Sequence, residues 1–95
     1  MAYRLSEQAD RDVETIVTYG AREFGVPQAQ KYHEGLTRAF EFLSAYPRVE
    51  RERKEFSPPV RIHTFGSHVV IYVIEGSDIL IVRVLGGAQD WERHL

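Results

Sequence analysis

The chain has no cysteine, which rules out a disulfide framework and any thiolate-ligated metal site. Its stability must therefore come from packing. No run of about 18 apolar residues occurs, and the opening MAYRLSEQAD lacks the basic stretch followed by an apolar segment that marks a secretion signal. A soluble, cytoplasmic protein with no membrane association is expected. An excess of positive charge is missing too: the net charge is −2 and the pI near 6.1. Proteins that grip nucleic acid usually carry a basic balance, because their cations displace counterions from phosphates. Direct nucleic-acid binding by this chain alone is therefore not expected. What is present is ordinarily globular, with 43% apolar, 27% charged and 12% aromatic residues, too apolar for disorder. A chain of 95 residues supports one core, so 1–95 is expected to be a single domain.

Residues 2–5 (AYRL) suit a short strand. Ser6 is a good N-cap, with Glu7, Asp10 and Asp12 placed near the positive end of a helix dipole. Val13, Ile16, Val17, Gly20 and Phe24 then follow helical spacing, predicting an amphipathic helix over 7–24. Gly25 fits a left-handed stop and Pro27 the first turn of a second helix. Ala29, Tyr32, Leu36, Ala39, Phe40 and Leu43 hold one face of that helix until Tyr46-Pro47 ends it. So short a link makes the pair an antiparallel helical hairpin. The segment PRVERERKEFSPP, 47–59, has charge without apolar periodicity and reads as a solvated loop, or else as a charged surface offered to a partner.

The clearest pattern is VRIHTF, GS, HVVIYVI, EGSD, ILIVRVL. Gly66-Ser67 suits a two-residue type II′ turn and Gly76-Ser77 centres a second, predicting a three-stranded antiparallel meander. The turns set the register. Phe65 should oppose His68, His63 Val70 and Arg61 Tyr72; in the second hairpin Ile74 should oppose Ile79, Tyr72 Ile81 and Val70 Arg83. One face then carries Val60, Ile62, Val69, Ile71, Val73, Leu80, Val82 and Val84, and is expected to pack on the helices. The other carries Arg61, His63, Phe65, His68, Val70, Tyr72, Ile74, Ile79, Ile81, Arg83 and Leu85. Apolar groups beside two arginines on an open face suggest a surface meant to be covered. A half-wet sheet with snorkelling arginines and a catalytic face are the alternatives.

The order of strand, helical hairpin and meander resembles the RelE/ParE superfamily of toxins from type II toxin–antitoxin systems, and most closely its ParE branch. The resemblance rests on LSEQADRDVETIVTYGAREFG, QAQKYHEGLTRAFEFLSAYP, VRIHTFGSHVVIYVI and ILIVRVLGGAQDWERHL, nearly the whole chain. Its most specific element is Arg83-Val84-Leu85, glycine, then Gln89-Asp90. Family members often place a histidine after that leucine and an arginine beside the glutamine; here Gly86 and Ala88 stand there. The resemblance implies an α+β fold, bacterial cytoplasm, and a ParD-like antitoxin whose C-terminal segment folds on the toxin, in a hetero-oligomer that meets operator DNA through the antitoxin. For the ParE branch it implies DNA gyrase as target; for the RelE branch, ribosome-dependent cleavage of mRNA.

Metal-free RNA cleavage needs a base, cations for the phosphorane and an acid for the leaving oxygen. Arg61, His63 and Arg83 on one face, with Lys54 in the loop, are the groups available for that alternative. Gly86, Gly87 and Ala88 offer no acid, so the gyrase reading is preferred and no catalytic residue is expected. His63 and His68 are diagonal neighbours about 7 Å apart with no carboxylate on their face, and neither a metal nor a cofactor is expected. The antitoxin is expected to bind Arg61, Val70, Tyr72, Ile79, Ile81 and Arg83. In the tail, Gly86-Gly87 free the chain from the sheet and Asp90 can N-cap a turn of WERHL. Trp91 either tucks back as a lid or is displayed; with Asp90 it is expected to meet the target.

Overall fold

A computed structural model describes residues 2–88 and 90–95; Gln89, part of the closing motif, lies outside the described residues. The elements are β1 (Tyr3–Leu5), α1 (Glu7–Phe24), α2 (Val26–Ala45), β2 (Arg61–Phe65), β3 (His68–Glu75), β4 (Asp78–Gly86) and a terminal 3-10 turn, Trp91–His94. The strands form one sheet in the order β1-β4-β3-β2. The helical hairpin and the meander stand where the sequence places them. β1 pairs parallel to β4, Tyr3 beside Ile79 and Leu5 beside Ile81, so the α+β fold has a mixed rather than purely antiparallel sheet.

α1 starts where expected because Ser6 works twice. Its Oγ accepts from the Ala9 N–H at 3.0 Å and donates to the Val82 carbonyl at 2.7 Å, tying the helix start to β4. Gly25 links the helices with φ 92° and ψ 156°, a positive φ with extended ψ in place of the expected left-handed helical stop. Gly66, at φ 54°, begins the β2–β3 turn, and a Cβ there would meet the Tyr32 hydroxyl at 2.7 Å. That position therefore takes glycine for both backbone and space.

The core lies between the sheet and the hairpin. Leu36, Phe40 and Leu43 of α2 and Ala9 and Val13 of α1 pack with Val70, Tyr72, Ile79, Ile81 and Val84. Each large apolar side chain buried there contributes about 1.5–3 kcal/mol. The faces of the sheet are thus the reverse of the sequence expectation, except at Val84 and Leu85, which lie on the expected sides. Val70, Tyr72, Ile79 and Ile81, expected to be open to an antitoxin, are at most 1% exposed beneath the helices.

The expected register holds across β2–β3 and from the second turn as far as Tyr72 opposite Ile81. A bulge follows. Ile71 opposes Arg83 and Val70 opposes Val84, because β4 carries one extra residue there. Beyond the bulge the sides of β4 exchange, so Val84 joins the helix-side core and Leu85 the far side. Arg83 therefore does not stand beside Val70 as expected.

Candidate docking face

The side of the sheet away from the helices, the distal face, is apolar as well. Val60, Val69, Ile71 and Leu85 are buried there in a cluster that contains no residue of α1 or α2. Aromatic side chains from irregular chain supply the cover. Phe56 comes from the 47–59 segment and Trp91 from the tail, with ring centroids 6.0 Å apart, and both pack on the cluster. The charged segment is thus only partly solvated. Arg53 pairs with Val60 through both backbone bonds, holding the segment against the sheet.

Phe56, Pro58, Val73, Leu80, Val82 and Leu95 give the apolar part of the lining of a groove of about 500 Å³, and Glu75, Glu92 and Arg83, the last an expected antitoxin contact, also line it. Val73, Leu80 and Val82 are half-buried. Trp91 is half-buried too, tucked against the distal cluster. Asp90 is exposed and its carboxylate pairs with Arg93 at 2.7 Å. Asp90 holds the expected N-cap position of the Trp91–His94 turn, its carbonyl accepting the Arg93 N–H at 3.3 Å, but its side chain makes the ion pair in place of a capping bond.

The three residues available to a ribonuclease do not converge. Arg61 and His63 lie on β2 and Arg83 on β4, with β3 between, so the strands that bear them are about 9–10 Å apart. The chain's own acceptors occupy all three. Arg61 Nη1 donates to the Glu50 carbonyl at 2.6 Å, and His63 Nδ1 meets Glu50 Oε2 at 2.8 Å. Arg83 Nε and Nη2 donate to the two oxygens of Asp12 at 2.9 and 3.0 Å; this carboxylate raises the pKa of the guanidinium further. Lys54 is exposed in the loop.

Tyr72 shows why the helix side can hold so polar a set. Its ring is buried and its hydroxyl donates to the Pro47 carbonyl at 2.8 Å, a partner just past the end of α2. Burial pushes the phenol pKa up, with the Arg61 charge opposing. The two sheet histidines sit in separate networks, His63 on Glu50 and His68 on the Tyr32 hydroxyl at 2.6 Å. Among the described residues no three His, Cys, Asp or Glu side chains gather as a metal site, and no helix is long and apolar enough to cross a membrane.

Fold and surface together define a small α+β protein whose prominent feature is a two-sided apolar sheet with an open groove, a build suited to binding another macromolecule. The family model described as the ParE toxin of the type II toxin–antitoxin system parDE matches residues 3–91, and the chain belongs to this ParE toxin family. It is 33% identical over 93 residues to Toxin ParE1 of Caulobacter vibrioides, covering 98% of this chain and 96% of that one. Toxin ParE1 of Mycobacterium tuberculosis is 34% identical over 94 residues, with 98% and 96% covered. A chain from the chromosomal ParDE system of P. aeruginosa shares the fold, with a TM-score of 0.78 at 19% identity over 90% of this chain and 95% of that one.

Proposed function

We propose that this toxin inhibits DNA gyrase in the bacterial cytoplasm and is neutralised by a ParD-like antitoxin that seats an apolar segment on the distal face. Membership of the ParE family carries the reading. The groove beside Val73, Leu80 and Val82 supports the antitoxin site, because half-buried aliphatics between two irregular covers gain most from a partner that completes their burial. Asp90 and Trp91 border that face and are the proposed contact with the target, so one bound antitoxin covers both functions. Arg61 and Arg83, already committed to Glu50 and Asp12, act as structural groups. The hetero-oligomer would meet operator DNA through the antitoxin.

Induced expression in bacterial cells should stop growth, and co-expression of the antitoxin should restore it. Purified toxin should inhibit supercoiling and trap gyrase on cleaved DNA. Cleaved transcripts with fully active gyrase would instead assign the chain to the RelE-like ribonuclease reading.

A further inference from the structure

The outer edge of β2 carries an inference independent of the distal groove. The direction of its backbone groups is set at both ends. Phe65 pairs with His68 across the turn, while Val60 turns its N–H and C=O outward to Arg53. Alternation then turns the N–H and C=O of Ile62 and Thr64 outward as well, and among the described residues they find no partner there. Natural edges are blunted by short strands, charged side chains, a covering loop, proline, a bulge or lysine. Here β2 is short, carries Arg61 and is covered by Arg53 at Val60 alone, and the last three devices would close what remains. Arg61–Phe65 has none of those three.

An apolar patch adjoins this edge on the helix side. Phe42, Tyr46 and Val49 are 41%, 63% and 51% exposed. The Phe42 ring lies 5.5 Å from Tyr46 and 5.9 Å from His63 of β2, so patch and edge are continuous.

We propose that the β2 edge joins two copies of this chain, antiparallel about a two-fold axis at His63, into one continuous sheet. The open run is short, because Arg53 already holds Val60 and the chain turns away at Gly66. A foreign strand on so short a run gains few bonds and little burial. A second copy makes the same four bonds, Ile62 of each copy exchanging both backbone bonds with Thr64 of the other, so the burial decides between the two. It also brings two Phe42 patches to the same axis, which gives the contact the apolar area that a short ladder lacks. Such a contact is isologous and uses the β2 edge of each copy on the other, so this contact closes at the pair.

Sedimentation velocity over a wide concentration range tests this on the full chain without antitoxin. The wild type should pass reversibly from monomer to dimer. Thr64→Pro removes an outward N–H without removing a ladder bond and should weaken the dimer at least about tenfold. Phe42→Lys, on the exposed side of α2, should weaken it similarly, with far-UV circular dichroism confirming the fold of each variant. Amide exchange at Ile62 and Thr64 in the wild type should slow as concentration rises, which keeps the test decisive if Thr64→Pro fails to fold. A wild type that stays monomeric, or exchange at these amides that ignores concentration, overturns the proposal. So does a folded Thr64→Pro that dimerises as tightly as the wild type.

Discussion

Asp12 of α1 and Arg83 of β4 form a two-pronged ion pair, and the same Asp12 carboxylate accepts the Val84 backbone N–H at 2.9 Å. The side chains are 14% and 17% exposed, so this pair largely excludes water. It follows directly on the bulge that turns Val84 into the core. Three donors on one carboxylate hold the first turns of α1 against the edge of β4 beyond the reach of β1.

Asp12→Asn keeps the shape but leaves the Arg83 charge without its counter-ion. Breaking one side of a largely buried pair costs about 3–5 kcal/mol; the residual exposure here places the expected loss near the lower end. Urea denaturation should show it as a lower midpoint at unchanged slope. Asp12→Asn combined with Arg83→Met should lose less than the two single changes summed, since the unpaired charge is then gone. Strict additivity would mean the ion pair contributes nothing beyond its separate parts.

The Tyr32–His68 contact predicts a pH dependence. The hydroxyl has one proton and lies 2.6 Å from His68 Nδ1 but 3.3 Å from the Phe65 carbonyl. The shorter contact takes the proton, which requires a neutral imidazole accepting at Nδ1. Burial lowers the His68 pKa below its usual 6.5 and raises that of Tyr32. The unfolded chain therefore binds a proton at His68 before the folded one does, and stability falls as pH drops below about 6.5. It is fully present above that value. Denaturation midpoints at neutral and mildly acidic pH should differ in the wild type, and by less in His68→Asn. An equal drop in both proteins would assign the dependence to other groups.

The docking face can be separated from the core by paired substitutions. Val73→Lys and Leu80→Lys alter half-buried positions that line the groove. Each should weaken antitoxin binding at least about tenfold while the fold persists. Tyr72→Phe removes only the hydroxyl donated to Pro47. It should cost about 1 kcal/mol of stability and leave affinity unchanged. Calorimetric titration with the antitoxin's C-terminal segment measures both. Normal affinity in the two lysine variants would place the antitoxin elsewhere.

These pairs also show how far the sequence was legible. Helical spacing with Ser6, Gly25 and Pro27 marked both helices to the residue or nearly so, and the two glycine turns set the register as far as Ile81. Up to the bulge, the sequence pattern points to the wrong side of the sheet for the helices. Counting polar groups made the Arg61, His63 and Tyr72 side look like the solvent side. Those groups occur next to the core because chain beyond α2 supplies acceptors at Pro47 and Glu50, which are distant in sequence. A sign of this was available in Phe56 and Trp91. Two aromatics in otherwise polar segments need a surface to cover, and only a second apolar face provides one. The bulge at Val82-Arg83 left no such sign, since no glycine or proline marks it.

The tail separates structure from toxicity most directly. The two glycines do not free the chain as expected: Gly86 is still in β4, paired with His68, and the Gly87 N–H bonds to the Ser67 carbonyl at 2.8 Å, so the tail leaves the sheet only after them. From residue 90 onward the tail's packing on the distal cluster comes through Trp91. Removing residues 90–95 therefore strips one half-buried aromatic from Phe56 and exposes part of the cluster formed by Val60, Val69, Ile71 and Leu85. The expected cost is at most about 2 kcal/mol, small enough for the chain to remain folded. Growth inhibition should fall well beyond what that loss explains, because Asp90 and Trp91 are the proposed target contact. Trp91→Phe preserves most of the packing and should show the same separation in milder form. Urea denaturation beside a growth assay measures the two effects on the same proteins. A folded truncation that still arrests growth removes the tail from the mechanism, and a truncation that unfolds makes Trp91 a structural cover for the distal face.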